Sequence, residues 1–372
     1  MAERSDGGTA QDSCATVLVL DAGAPFGLEL ARQFGARGHR VLAADSVRFP
    51  ISRFSRSTAA CFRLPPPARE LERFSEALAG VAEREAVDLI LPAGESVFHV
   101  ARCRAKLPPG CTRFIEDIEK LRTVHNKWLF SQHARTLGLS VPDTSLLESR
   151  DDALAAFDES RELVFKPVYS RFAAHTLIRP TRRRDVARLP ISQERTWVAQ
   201  EFAPGRAVNT YSAAQQGRIT AHSTYIVQFT LGKGAGIAIE SVVHPEARRW
   251  VEHYVRSTGF TGQISFDFIE RADGSVTAIE CNPRATSGVH LFEHDEDLGG
   301  AILDPSHPPV NAPAGRKAMG AALMRSRVPA LVLSRGELRR WREVYAASND
   351  VIHQPDDPRP GRMQYFASSV LL

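Results

Sequence analysis

Residues 261–288, TGQISFDFIERADGSVTAIECNPRATSG, carry two carboxylates and an amide at spacings that could stack them on one face. One arm of an expected hairpin, residues 263–270, alternates Phe266 and Phe268 with Ser265, Asp267 and Ile269. The other, residues 275–282, alternates Thr277, Ile279 and Cys281 with Val276, Ala278, Glu280 and Asn282. Asp273-Gly274 between them is a strong turn signal. A two-residue loop there sets Asp267 opposite Glu280, with Asn282 two residues on and pointing the same way. A three-residue loop would turn Asp267 aside. Facing carboxylates repel across a sheet, and a hard cation such as Mg²⁺ would convert that cost into a site. The competing reading is an ordinary polar face near Arg271 or Arg284. Cys281 alternates away and reads as a core thiol.

Three more positions suit a polyphosphate. Lys127 opens a helix just after His125-Asn126, which puts an ammonium beside the positive helix end. Lys166 sits in the apolar strand LVFKPV, where a charge must meet an anion or snorkel out. Glu201 ends the strand TWVAQEF before Ala203-Pro204-Gly205, where a carboxylate could bind a ribose. Each alone could equally be a surface charge. Near the N-terminus, Gly23–Gly27 (GAPFG) follows a strand and opens a helix, and Asp45 ends the next strand. That could be a dinucleotide site, or two glycines that only let strand and helix pack closely. The motif lacks the G-x-G-x-x-G spacing.

The elements that must hold these residues are legible in outline. Strand 16–21, helix 28–35 and strand 40–45 form a β-turn-α-β unit, the opening of a doubly wound sheet. Helix 70–85, strand 87–91 and helix 95–106 make a second unit. A helix from Lys127 to Leu137 is closed by Gly138, with Pro142 beyond. Residues 162–168 and 196–202 read as strands, 207–243 as three more, and 245–258 as a helix leading into the hairpin. Residues 337–347 suit a helix, and the rest of 295–372 carries little signal. The chain has 372 residues, 43% hydrophobic and 24% charged, with a net charge of +4. This points to two or three globular units. Short basic runs such as 182–184 lack interleaved aromatics, so no nucleic-acid partner is expected. No apolar run is long enough for a membrane span. The five cysteines form no CxxC pair, which fits a reducing cytoplasm. The first 13 residues read as a disordered tail.

Taken together, HNKW, VFKPV, AQEFAPG, SFDFIE and IECNPRATSG resemble the ATP-grasp carboxylate–amine ligases, a family that includes biotin carboxylase, carbamoyl phosphate synthase and D-alanine–D-alanine ligase. The resemblance is strongest over residues 120–290. It implies an α/β ATP-grasp fold with a Rossmann-like pre-ATP-grasp domain at 14–118, a central lid subdomain at 119–203 and a catalytic subdomain at 204–372. It further implies that Lys127 and Lys166 hold ATP phosphates, and that Glu201 with the Gln200–Phe202 backbone holds adenine and ribose. Asp267, Glu280 and Asn282 would bind Mg²⁺, with Mn²⁺ an alternative, and Arg284 would neutralise the transferring phosphoryl group. The implied activity joins a small-molecule carboxylate to an amine through an acyl phosphate, releasing ADP and phosphate. A homodimer is common among such relatives.

The segment after the strand lysine departs from the pattern. Residues 169–176, YSRFAAHT, hold no glycine, whereas many relatives close a glycine-rich lid there. FTLGKGAGIA, residues 229–238, has the glycines instead, so Arg171, Lys233 or both could supply lid cations. Ser287, Gly288 and His290 lie where the acyl acceptor would bind, and Glu95 could face the substrate cleft. Two rival readings stand beside the ligase. One is an NAD(P)-dependent oxidoreductase or epimerase built on the N-terminal unit. The other is a nucleotide-binding module without catalysis.

Overall fold

The computed structural model describes residues 14–159, 161–170, 175–231, 234–327 and 335–366. The N-terminal tail expected over 1–13 lies outside them. The first strand, β1 (Thr16–Leu20), pairs in parallel with β2 (Arg40–Asp45) and β4 (Leu89–Pro92). With β3 (Ala60–Arg63) and β5 (Thr112–Arg113) they make a sheet of order β3-β2-β1-β4-β5. A parallel sheet covered on both faces needs apolar residues at successive positions, and TVLVL supplies them. Leu18 and Leu20 pack on one side with Phe74, Leu78 and Val97. Val17 and Val19 pack on the other with Leu30 and Phe34 of helix Pro25–Ala36. Pro25 presets the first turn of that helix. Gly27 lets it approach the sheet, since an added Cβ would fall 2.4 Å from the Asp21 carbonyl oxygen.

The second sheet is antiparallel, of order β6-β9-β7-β8. Its strands are β6 (Thr144–Leu147), β7 (Leu163–Pro167), β8 (Leu177–Ile178) and β9 (Trp197–Glu201). Two capped helices support it. Asn126 accepts hydrogen bonds from the Trp128 and Leu129 amides to start Lys127–Thr136. Ser149 and Asp152 form a capping box on Arg150–Asp158.

The third sheet runs β14-β13-β10-β11-β12-β16-β17, with β15 (Val310–Asn311) paired to β11. The strands are β10 (Arg206–Gln215), β11 (Arg218–Leu231), β12 (Ala235–Ser241), β13 (Gly262–Glu270), β14 (Val276–Asn282), β16 (Lys317–Met319) and β17 (Asn349–Asp350). Helix Pro245–Thr258 covers one face. Trp250 and Tyr254 lie 5.0 and 5.3 Å from the Phe266 ring, so burial of Phe266 and Phe268 forces Ser265, Asp267 and Ile269 to the opposite face. Tyr211, Ala213 and Ala221 join the Val17–Phe34 side of the N-terminal core, and so fix the first sheet against the third. The uncharted C-terminal stretch returns to the N-terminal unit. There buried Arg32 pairs with Asp357 at 2.9 Å and donates to the Val351 and Ile352 carbonyls.

The β13–β14 hairpin corrects one expectation. Arg271 N–H donates to the Ser275 carbonyl at 2.8 Å, so the loop is Ala272-Asp273-Gly274, one residue longer than expected. Gly274 takes the left-handed conformation, φ +81°, that such a loop demands. Pairs Glu270–Val276 to Phe268–Ala278 follow this longer loop, and continuing them would set Ile279 opposite Asp267. A bulge at Ile279 shifts the register instead, and Asp267 faces Glu280 after all. The bulge also changes which residues share a face. Val276 and Ala278 join Cys281 in the core, not Glu280 and Asn282.

Candidate active site

Cross-strand pairing lines up one row of side chains over the third sheet. Glu280 faces Asp267, Asp267 faces Asn209, and Asn209 faces Tyr225. The first two carboxylates are the electrostatic centre. Burial and the facing Glu280 push the Asp267 carboxyl well above the usual carboxylate range. Lys127 is buried to 1% of its side-chain surface, and its ammonium lies 3.4 Å from Glu280 Oε2. Its own helix start is tied to the second sheet, because the Lys127 amide donates to the Val168 carbonyl at 3.3 Å.

Lys166 reaches the same place from β7. Its ammonium donates to Gln200 Oε1 at 2.9 Å and to the Ile279 carbonyl at 3.0 Å. The bulge therefore presents the carbonyl that holds this lysine. Burial brings the Lys166 pKa down to about 8. Gln200 is committed at both ends, since Nε2 donates to Thr144 Oγ1 at 3.2 Å. Its side chain orients Lys166 and is not open to a nucleotide. Glu201 is exposed at the end of β9. The Glu201 and Phe202 amides already donate to the Asp143 and Glu162 carbonyls, which leaves the neighbouring carbonyls and Ala203 to meet a base edge. Arg179 stacks over the Phe202 ring at 5.0 Å.

Arg284 enters from the loop that follows β14. Its Nε donates to Glu95 Oε1 at 2.9 Å and its Nη2 to Asn282 Oδ1 at 3.3 Å. Glu95 thus reaches the cleft by holding this guanidinium. A cavity of about 410 Å³ joins Lys166, Gln200, Glu201 and Phe202 to Asn209, Asp267, Glu280, Asn282, Arg284 and Ser287. The two other expected acceptor residues are elsewhere. Gly288 is packed so tightly that an added Cβ would fall 2.7 Å from Ser223 Oγ and Tyr211 Cβ. His290 turns away to pair with buried Glu29 at 3.3 Å, beside a separate cavity of about 310 Å³. Arg171 and Lys233 lie outside the described residues.

Asn209, Tyr225, Thr286 and His125 escaped sequence reasoning. An Asn or Tyr inside a strand gives no local signal, and only the pairing brings it beside the carboxylates. Thr286 is held by Tyr225 and Ser265 hydroxyls at 3.2 and 3.0 Å. His125 lies between the Phe98 and Tyr169 rings, its Nδ1 without a partner among the described residues, and burial lowers its pKa. In the N-terminal unit, Asp45 accepts from the Gly23 amide at 2.8 Å. Asp21, Asp45 and Glu95 line the small cavity at those strand ends, a poor reception for a pyrophosphate.

No protein-family model matches the chain, and no curated protein matches it in sequence. Solved structures do match. N5-carboxyaminoimidazole synthetase from Staphylococcus aureus is 12% identical with a TM-score of 0.65, covering 87% of this chain and 86% of that one. Carboxyaminoimidazole ribonucleotide synthase from Aspergillus clavatus, complexed with ATP, is 14% identical with a TM-score of 0.65, covering 86% and 87%. L-amino acid ligase from Bacillus licheniformis is 15% identical with a TM-score of 0.61, covering 82% and 78%. The chain has the ATP-grasp fold with an N-terminal domain. In this chain the cavity lies between the second and third sheets, with Lys166 and Glu201 on one wall and Asp267 and Glu280 on the other.

The donor set can be tested for a metal. Among the described residues no group of three or more His, Cys, Asp or Glu is placed to hold an ion on its own. Two facing carboxylates and one amide suit Mg²⁺, which keeps several waters and takes substrate phosphate oxygens. The raised Asp267 pKa is what such a pair shows before a cation relieves it. The residues present fit the ion.

Proposed function

We propose that this chain is an ATP-dependent ligase that joins a small-molecule carboxylate to an amine, releasing ADP and phosphate. The observation that carries the reading is the convergence in one place of Lys127, Lys166, Asp267, Glu280 and Arg284 from separate elements, with the Lys127 ammonium 3.4 Å from Glu280. Lys127 and Lys166 would bind ATP phosphates. Glu201 and the backbone from Gln200 to Ala203 would bind ribose and adenine. Bound by Glu280, Asp267 and Asn282, Mg²⁺ would offset charge on the phosphate oxygens. Arg284, held by Glu95 and Asn282 in the cavity wall, would neutralise the transferring phosphoryl group.

The substrate carboxylate oxygen attacks the γ-phosphorus, the β–γ P–O bond breaks, and ADP leaves. The amine nitrogen then attacks the acyl carbon, phosphate departs with the bonding pair, and the nitrogen loses a proton. Fixed cations aimed at developing charge supply most of what phosphoryl transfer requires of a protein. Three units over 14–118, 119–203 and 204–372 follow the three sheets, and a homodimer follows the family pattern. Five free cysteines suit a cytoplasmic protein; among the described residues no helix is long and apolar enough to cross a membrane. Nucleotide products test the reading. Incubation with ATP, Mg²⁺ and pairs of acids and amines should release ADP and phosphate. Release of AMP and pyrophosphate without ADP would overturn it.

A further inference from the structure

Beyond the carboxylate row, the cavity changes character. Strands in a sheet lie about 4.8 Å apart, so Tyr225 on β11 is about 14 Å from Glu280, and β12 is about 19 Å away. That distance removes β11 and β12 from the lysines and carboxylates proposed to hold the nucleotide phosphates. The next row outward pairs Val227 with Ile239, and both line the cavity with Tyr225 and Phe26. Ile239 and Tyr225 are 3% and 5% exposed, so this wall is rigidly packed. Gly236, paired with Thr230, adds no side chain beside Val227; an added Cβ would stand 3.1 Å from Val227 Cγ2.

Among the described residues, polar groups line one edge of this region. Thr286 and Ser287 line it beside Arg284, and Tyr225 Oη lies 3.2 Å from Thr286 Oγ1. Burial raises the Tyr225 pKa, so the phenol stays neutral. Among the described residues lining the cavity, the cations are Lys166 and Arg284. Both are at the carboxylate end. A phosphate or a second carboxylate over β11–β12 would be desolvated against Val227 and Ile239 with no counter-charge among the described residues lining the cavity, a costly arrangement. An apolar body would gain from the same surface.

Resting on the ligase reading, we infer that the activated substrate is a carboxylic acid with an apolar, unphosphorylated body of amino-acid size. Its carboxylate faces Arg284, and its body packs on Phe26, Tyr225, Val227 and Ile239. These surfaces discriminate against sugar phosphates and dicarboxylates.

Hydroxylamine as the nitrogen nucleophile reads out acid activation without knowledge of the natural amine, because it converts an acyl phosphate to a hydroxamate. L-phenylalanine, L-leucine and 3-phenylpropanoate are compared with L-glutamate and O-phospho-L-serine, at fixed Mg-ATP. At least one apolar acid should exceed both charged acids in kcat/KM by about tenfold or more. Val227→Thr, which puts a hydroxyl in place of a methyl, should raise the KM for that acid about fourfold and leave the KM for ATP within about twofold. Preference for a charged acid overturns the inference, as does an unchanged acid KM in Val227→Thr. Binding of a non-hydrolysable Mg-ATP analogue is measured in parallel. If the analogue binds and only a charged acid is activated, the apolar subsite is wrong and the ligase reading stands; if it binds and no acid yields ADP, a non-catalytic nucleotide-binding module replaces both. If no analogue binds and no ADP forms with any acid, the ligase reading falls and takes the subsite with it.

Discussion

Glu280→Gln isolates the charge at the centre of the carboxylate row while keeping its shape. At 3.4 Å and an effective dielectric near 20, the attraction between Lys127 and Glu280 is about 5 kcal/mol. Opposed carboxylates about 5 Å apart repel by about 3 kcal/mol in the same medium. Removing the Glu280 charge therefore costs about 2 kcal/mol net, because lost attraction is largely offset by relief of Asp267. A chain of this size should melt about 4 °C lower, with the fold intact. Turnover should suffer far more, by about 10²- to 10³-fold, since in the proposed reaction the lost charge would act on metal and phosphate oxygens in the transition state. ADP release across a Mg²⁺ titration and the melting temperature of the same preparation separate the two effects. The stabilisation that Mg-ATP analogues give the wild type should also shrink. Turnover within about threefold of wild type would refute the assignment of Glu280. A melting temperature lower by more than about 10 °C would show that the carboxylate is structural.

Two other outcomes follow from the packing. Burial pushes the Glu29 carboxyl up, but hydrogen bonds from His290 and His294 outweigh it and hold it below the usual range, while the bond to Glu29 raises His294. Glu29's contribution to stability is present above about pH 4.3 and is lost as pH falls through its depressed value; that of His294 is present below about pH 6.5 and is lost as pH rises through its raised value. Melting temperature should therefore peak between those limits in the wild type, and His294→Gln should abolish the decline on the alkaline side. An unchanged alkaline limb in the variant would remove the pair as its cause. Gly205→Ala should destabilise by about 2 kcal/mol or more in denaturant unfolding, because the position has φ +153° and a Cβ would fall 2.1 Å from the Glu270 carbonyl oxygen. A neutral result would mean that the β9–β10 connection is looser than its geometry.

The periodic elements were legible because burial writes itself into local pattern. Strand β1, helix Pro25–Ala36 and helix Pro245–Thr258 each announce themselves by a run or stripe of apolar residues and a cap or proline. Short strands were not legible. Ala60–Arg63 and Thr112–Arg113 carry too few residues for a pattern, and their pairing with β2 and β4 defines them. Among the candidate site residues, Lys127, Lys166, Glu201, Asp267, Glu280 and Asn282 stood out by residue type and spacing, and Arg284 only through the family resemblance. His290 stood out by position alone, and the 3-10 turn Ser287–Leu291 points it at Glu29.

The hairpin divides the two kinds of information. Sequence by itself determined that Asp267 lies opposite the aromatic face of β13, because Phe266 and Phe268 must be buried and side chains alternate. Whether Glu280 meets it depends on loop length and register, and those two features each departed from the simplest reading in compensating ways. The loop took one more residue, and the Ile279 bulge absorbed it. A bulge is a response to what both faces of β14 must contact: core for Ala278 and Cys281, cleft for Ile279 and Glu280. No local propensity encodes that demand. It arises only when helix Pro245–Thr258 packs on one side of the sheet and Lys127 and Lys166 close over the other.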